Sequence, residues 1–171
     1  MRRQIPIIVL VLAGIALLAG CGKSAEMKQM EGDLYKSVTT MHDEGMSLMK
    51  KANEMLAGVD VSIAEHEKLA AAHPKAIATH SMDDLIAAKQ KLSAAVVSMK
   101  EWMSGFKPYD PMKQHEEVMA ELTASKDGIA KVKVNFDEAL AAAKTAIDTH
   151  TAFAAELTAK SGAPAKKSAK K

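Results

Sequence analysis

Apolar side chains recur along three long stretches of this chain at alternating steps of four and three residues. In the first stretch Leu34, Val38, Met41, Gly45, Leu48, Ala52 and Met55 fall on one line, and in the second Met82, Leu85, Lys89, Leu92, Val96, Met99, Met103 and Phe106 do so with one polar intruder. The third line runs from His115 through Val118, Leu122, Ser125, Ile129, Val132, Phe136, Ala139, Ala143, Ala146, His150 and Phe153 to Leu157. Such spacing packs one face of an α-helix against other helices, and no stretch alternates at the period of two that strands require. The pattern predicts an all-α fold, an elongated antiparallel helical bundle or coiled coil of three long helices plus one short helix.

Helix punctuation sets the expected boundaries. Gly58 after Ala57 predicts the end of the first helix, with residues 58–62 breaking the pattern. Ser62 and Glu65 have capping-box spacing for a short helix to about Ala72, ended by Pro74, and Ser81 with Asp84 repeats that spacing before the second long helix. Gly105 follows that helix, residues 106–110 make the turn, and Asp110 before Pro111 predicts an N-cap with proline in the first helical position. From there a helix to about Lys160 would be about 75 Å long at about 1.5 Å per residue. Its C-terminal half then needs a further partner, either the 62–80 segment or a second copy of the chain in a homo-oligomer.

The N-terminus changes the picture from a bundle to an anchored bundle. Arg2 and Arg3 precede an apolar stretch from Ile5 to Leu18, and Leu18-Ala19-Gly20-Cys21 then forms a lipobox. The apolar stretch is shorter than the roughly 20 residues that a spanning helix needs. Residues 1–20 therefore read as a lipoprotein signal peptide, 21–33 as the lipidated N-terminus and start of helix one, 34–160 as the bundle, and 161–171 as a disordered Lys-rich tail. Gly22 stands where an inner-membrane retention signal would place Asp, so the expected location is the cell envelope, lipid-anchored to the outer membrane and facing the periplasm.

Cys21 is the single cysteine, and acylation would consume it, which excludes disulfides, thiolate metal sites, CxxC redox centres and a cysteine nucleophile. Removing residues 1–20 leaves 21 acids, and the body from 21 to 159 sets them against 16 lysines. The remaining lysines, Lys160, Lys166, Lys167, Lys170 and Lys171, form a basic end with no acid among them. An acidic body with a basic tail excludes a nucleic-acid-binding domain. The tail lysines Lys166, Lys167, Lys170 and Lys171 suit peptidoglycan carboxylates or anionic lipid, and the ε-amine of Lys171 could serve as a covalent cell-wall tether.

Candidate chemistry lies in methionine and histidine. His42 and Met46 share one helix face at i and i+4, and His115 and Met119 repeat that spacing. If the turn near Pro108 is the pivot, Met99 faces Val118 and Met103 faces Met112; a reversal of the first helix then sets His42 level with Val97. His42, Met46, Met99, Met103, His115 and Met119 thus become a candidate Cu(I) ligand set, because imidazole and thioether suit a soft monovalent ion. Trp102 beside them could cover the cation through its π face. Met41, Met99 and Met103 stand at seam positions, where core packing accounts for them better than ligation, since methionine is a flexible apolar filler. "HEKLA" at 66–70 has Ala70 where a zincin needs its second histidine, and His66 with His73 is not a ligand spacing on one helical turn. No phosphate loop, GxSxG or nucleotide fingerprint is present, and the chain is expected not to be an enzyme.

Three patches, "MHDEGMSLMKK" at 41–51, "MKEWMSGFKP" at 99–108 and "SKDGIAKVKVNFDEALAAAK" at 125–144, resemble small helical lipoproteins of diderm bacteria, some labelled "viral A-type inclusion protein" for their coiled-coil composition. Those proteins show an HDExM element, an MxxWM element and a Lys-rich amphipathic third helix. The resemblance implies a lipoprotein and a helical bundle, implies no activity, and adds interest to His42, Met46, Trp102 and Met103. This chain departs from it in Gly45 at the variable position and in the His-rich insertion at 59–80. The expected role is a non-enzymatic envelope lipoprotein, structural or adaptor-like; periplasmic Cu(I) binding and cell-wall tethering are the alternatives.

The anchor is directly testable. Cys21→Ala should leave a full-length precursor unprocessed by signal peptidase II, as globomycin should in wild type; both size and membrane partitioning unchanged under the two treatments would refute acylation at this residue.

Overall fold

The computed structural model describes residues 22–162. Its helices are α1 (Ala25–Ala72), α2 (Pro74–Ile77), α3 (Asp83–Gly105) and α4 (His115–Gly162). The fold is an all-α bundle in which the three long helices pack against one another, as the apolar spacing predicts. Consecutive long helices run antiparallel, so α1 and α4 lie parallel: Glu31 meets His115 at one end, and His66 meets His150 at the other. None of the described helices is long and apolar enough to cross a membrane. Residues 1–21, which hold the expected signal peptide and Cys21, and the tail lysines from Lys166 onward lie outside the described residues.

Helix α1 starts within the expected 21–33 segment and departs from expectation at its C-terminal end. It begins at Ala25, because the Ser24 hydroxyl accepts from the Met27 N–H at 3.1 Å and caps the first turn. It does not stop at Gly58 but runs through to Ala72. A glycine inside a helix costs about 1 kcal/mol relative to alanine, whereas burying a single valine contributes about 1.5–3 kcal/mol. Val59 directly after Gly58 is fully buried, and so is most of His66 beyond it. Packing therefore overrides the local stop signal. Ser62 opens no new helix; its hydroxyl donates back to the Gly58 carbonyl at 3.1 Å within the continuing turn.

The second correction concerns the turn into α4. Asp110 does not cap that helix: its carboxylate accepts from the Met112 N–H at 2.9 Å in a local turn, and α4 starts only at His115. Residues 106–114 thus extend past the end of α3 instead of reversing at once. This lengthened path changes the pairing of α3 with α4. Met99 packs beside Ile129 rather than Val118, both reaching Gly45, and the Trp102 indole N–H donates to the Ser125 carbonyl at 2.9 Å.

Helix α3 has 23 residues and its two neighbours have 48 each, so it fills only the middle of the groove between them. There the core is aliphatic and dry: Ala52, Val59, Leu92, Met99, Ile129, Phe136 and Ala143 are fully buried. Gly45 lets the three helices close in, since a Cβ there would sit 3.2 Å from Met99 Cε and 3.3 Å from Ile129 Cδ1. Ala88, not Lys89, takes the core position; Lys89 turns outward to Asp60 at 2.6 Å. The partner of the C-terminal half of α4 is the unbroken α1 itself.

Phe136→Ala should destabilise the bundle by about 3–5 kcal/mol through loss of a fully buried ring. Val134→Ala, on a half-exposed face of the same helix, should stay within about 0.5 kcal/mol. Urea melts followed by circular dichroism read both, and equal shifts would show that the buried face of α4 has been misassigned.

Candidate metal centre

Beyond each end of α3 the seams of α1 and α4 face each other directly, and both seams turn polar there. On α1 Glu31, Val38, Gly45, Ala52, Val59 and His66 are buried, one residue in every seven, and Ser62 is buried beside the last of them. The two ionisable members stand at the ends of that line.

At the N-terminal end the Glu31 carboxylate is fully buried. It accepts from Lys23 at 2.7 Å, from the Tyr109 hydroxyl at 2.8 Å and from His115 Nδ1 at 2.9 Å. Burial alone would raise its pKa; the hydrogen bonds from Lys23, Tyr109 and His115 outweigh it and bring the pKa down to about 2. The same bond pushes the Tyr109 phenol above its usual range. This cluster ties the 106–114 connector to α1 and leaves His115 committed to a carboxylate. Sequence reading missed Glu31 because it began the seam at Leu34, although one further step of three reaches it.

The other end carries the candidate site. His66 comes from α1, His80 from the connector ahead of α3, and His150 from α4; one ring nitrogen of each lies within 4.8 Å of the others. Ring centroids are 5.5 Å apart for His66 and His150 and 5.8 Å for each of the pairs with His80. The His80 ring is held from behind by the Phe153 ring, stacked at 4.1 Å. His150 is 1% exposed and His66 8%.

Buried imidazole nitrogens normally find hydrogen-bond partners, and leaving one unpaired costs about 1–3 kcal/mol. Here His66 Nδ1 and both nitrogens of His150 have none. Glu65 approaches His150 Nε2 only to 3.9 Å. Burial pushes the pKa of His80 down, assisted by His66; burial does the same to His150, with Glu65 opposing and the two neighbouring histidines adding. Both are therefore driven toward the neutral form, the state that ligates metal. Three ligands at about 2.0–2.1 Å from one ion in tetrahedral geometry stand about 3.3 Å apart, so small ring rotations close this set around an ion.

The sequence-predicted copper ligands do not gather as one group. His42 stacks on Trp102 at 5.9 Å between centroids, and both line a cavity with Met103. Met99 is fully buried against Gly45, Met46 is 37% exposed, and Met119 is half-buried on α4. His115 stands level with Glu31, about 16 Å along α1 from His42 at about 1.5 Å per residue. The reason is the connector, which carries the start of α4 past the end of α3. The three-histidine cluster went unread because Gly58 was taken as a break. The signal was present: Met55, Val59, Ser62, His66 and Leu69 continue the four-three rhythm without interruption, and His150 lies on the seam of α4.

Comparison with known protein families, with curated proteins and with solved structures finds no match for this chain.

Because its folded pKa lies below the ordinary value of 4.5, Glu31 contributes stability that is fully present above about pH 4.5 and is lost as pH falls toward about 2. Amide exchange of residues 106–114 should accelerate across that window in wild type. In Glu31→Gln the connector should exchange fast at every pH and show no such transition.

Proposed function

We propose that this chain is a lipid-anchored envelope protein that binds a divalent transition-metal ion through His66, His80 and His150. The observation that carries the reading is the convergence of three imidazoles from three separate segments, with buried nitrogens that no protein group satisfies. Neutral nitrogen ligands without thiolate suit Zn(II), Cu(II), Ni(II) or Co(II), and three histidines with a further position free match the ligand count of known zinc sites. Glu65, its carboxylate 3.9 Å from His150 Nε2, is placed to orient that ring or to take the further position.

The anchor and the site lie at opposite ends of α1. From Lys23 to His66 the helix spans about 65 Å at about 1.5 Å per residue. With Cys21 acylated and inserted in the bilayer, the bundle is a spacer that holds the ion far from the lipid surface, facing the periplasm. The role is non-enzymatic: the histidines are nearly enclosed, which suits retention of an ion more than turnover of a substrate. The basic tail follows the end of α4 that lies far from the anchor, where its lysines suit peptidoglycan carboxylates rather than the anchoring lipid.

Metal-stripped full chain, titrated with Co(II) or Zn(II) against a chromogenic chelator, should bind about one equivalent. Co(II) should give visible d–d bands of a nitrogen-rich, low-coordinate site. His80→Ala and His150→Ala should each weaken binding at least about tenfold, and the affinity should hold through the ordinary imidazole value of about 6.5 and fall only at lower pH, because burial holds His80 and His150 below that value. Zinc should also protect residues 73–82 from proteolysis. Binding of equal strength in wild type and both variants would refute the site.

A further inference from the structure

A second constellation lies about 36 Å nearer the N-terminus along α1, at about 1.5 Å per residue. It is a cavity of about 250 Å³ lined by Thr39, His42, Trp102, Met103 and Phe106. Three features show that its walls are built rather than incidental. The first is the indole of Trp102. Its N–H is fixed to the Ser125 carbonyl, and Gly128 makes room for its edge, since a Cβ there would meet Trp102 Cδ1 at 2.9 Å and Nε1 at 3.1 Å. The ring is thus held against α4 while its faces look along the stack toward Phe106 at 5.1 Å and His42 at 5.9 Å.

The second feature is the orientation of His42. Its Nδ1 lies 3.1 Å from the Asp43 carboxylate, which can only accept, so Nδ1 is the donor in this contact and Nε2 is the nitrogen left to ligate. A carboxylate behind an imidazole is the usual way in which a ligating histidine is fixed in tautomer and angle. The third is the thioether of Met103, half-buried in the same wall. One imidazole nitrogen, one thioether sulfur and one rigid π face make an uncharged donor set. No carboxylate lines the cavity to offset a double charge.

We propose that this cavity is a binding site for a soft monovalent cation, Cu(I) in its native setting, ligated by His42 and Met103 and covered by the face of Trp102. Imidazole and thioether favour a soft d¹⁰ ion over the divalent ions suited to the three-histidine centre. A low single charge is what a ring face attracts without a counter-ion. Met46 and Met99 have no part in it: the first turns to solvent and the second is sealed in the core against Gly45. The site is independent of His66, His80 and His150, and either can exist without the other.

Trp102 is the only tryptophan in the chain, so its fluorescence reports this cavity alone. The probe is Ag(I), a soft monovalent ion that needs no reductant, titrated into purified full chain in detergent. Emission should be quenched with saturation near one equivalent, identically in wild type and His150→Ala, and Zn(II) at the same concentration should leave it unchanged. Met103→Leu, which preserves volume, and His42→Ala, at a half-exposed position, should each weaken the response at least tenfold while helical circular dichroism stays intact. Absence of quenching in the folded wild type overturns the proposal, as does a wild-type response in both variants or equal quenching by tetramethylammonium, which would mark an aromatic cation pocket without metal ligation. None of these outcomes bears on Zn(II) binding by the three-histidine centre, which is read by chelator competition and is unaffected by His42→Ala.

Discussion

The length mismatch between the middle helix and its neighbours governs this molecule. Two parallel helices of 48 residues share a groove that 23 residues of α3 can fill for only half of its length. Where α3 is present, three apolar seams meet and the core needs nothing but aliphatic carbon and one phenyl ring. Where it is absent, two seams meet under a connector, and a purely apolar seam would lie open to water. Polar residues occupy the seam at those places, and each connector inserts one ring over them: Tyr109 at one end and His80 at the other.

The two ends resolve the same problem in opposite ways. Glu31 keeps its charge under complete burial because three donors converge on it and compensate for lost hydration. The far cluster has no such donors: His66 Nδ1 and both nitrogens of His150 are buried without a hydrogen-bond partner, and burial favours the neutral form of His80 and His150. A charged hub satisfied by protein groups is a fastening. A group of unsatisfied ring nitrogens is what the proposed ion would complete. The contrast separates a cluster satisfied by protein groups from one that is not, even though both are histidine-containing and both sit beneath a connector.

Much of this architecture was legible in residue spacing, and the failures have specific causes. The buried line of α4 matches the predicted one nearly position by position, because a long helix packed on two sides must carry a continuous stripe. Val118, Ile129, Phe136, Ala143 and His150 all fall on it. The errors came from local signals that tertiary packing overrides: Gly58 looks like a stop, Ser62 with Glu65 looks like a start, and Asp110 before Pro111 looks like a cap. Each is a preference of about 1 kcal/mol, small beside the burial that continues past it. Those errors concealed the three-histidine cluster, since breaking α1 at Gly58 detaches His66 from the seam that aligns it with His150. The pairing of His42 with Trp102 was closer to view, but its register depended on connectors whose path no periodicity encodes.

The strict seven-residue spacing of the buried line on α1 has a geometric consequence. A straight α-helix drifts by about 20° for each heptad, and Glu31 to His66 spans five of them. For every member of that line to stay buried, the neighbouring helix must wind around α1 by about 100° over the length of the bundle, with the left-handed sense that a heptad imposes. The Glu31 hub and the three-histidine cluster therefore open in directions about a quarter turn apart when viewed down the long axis. A partner sliding along the bundle from its N-terminal end would have to follow that helical path to pass from one to the other.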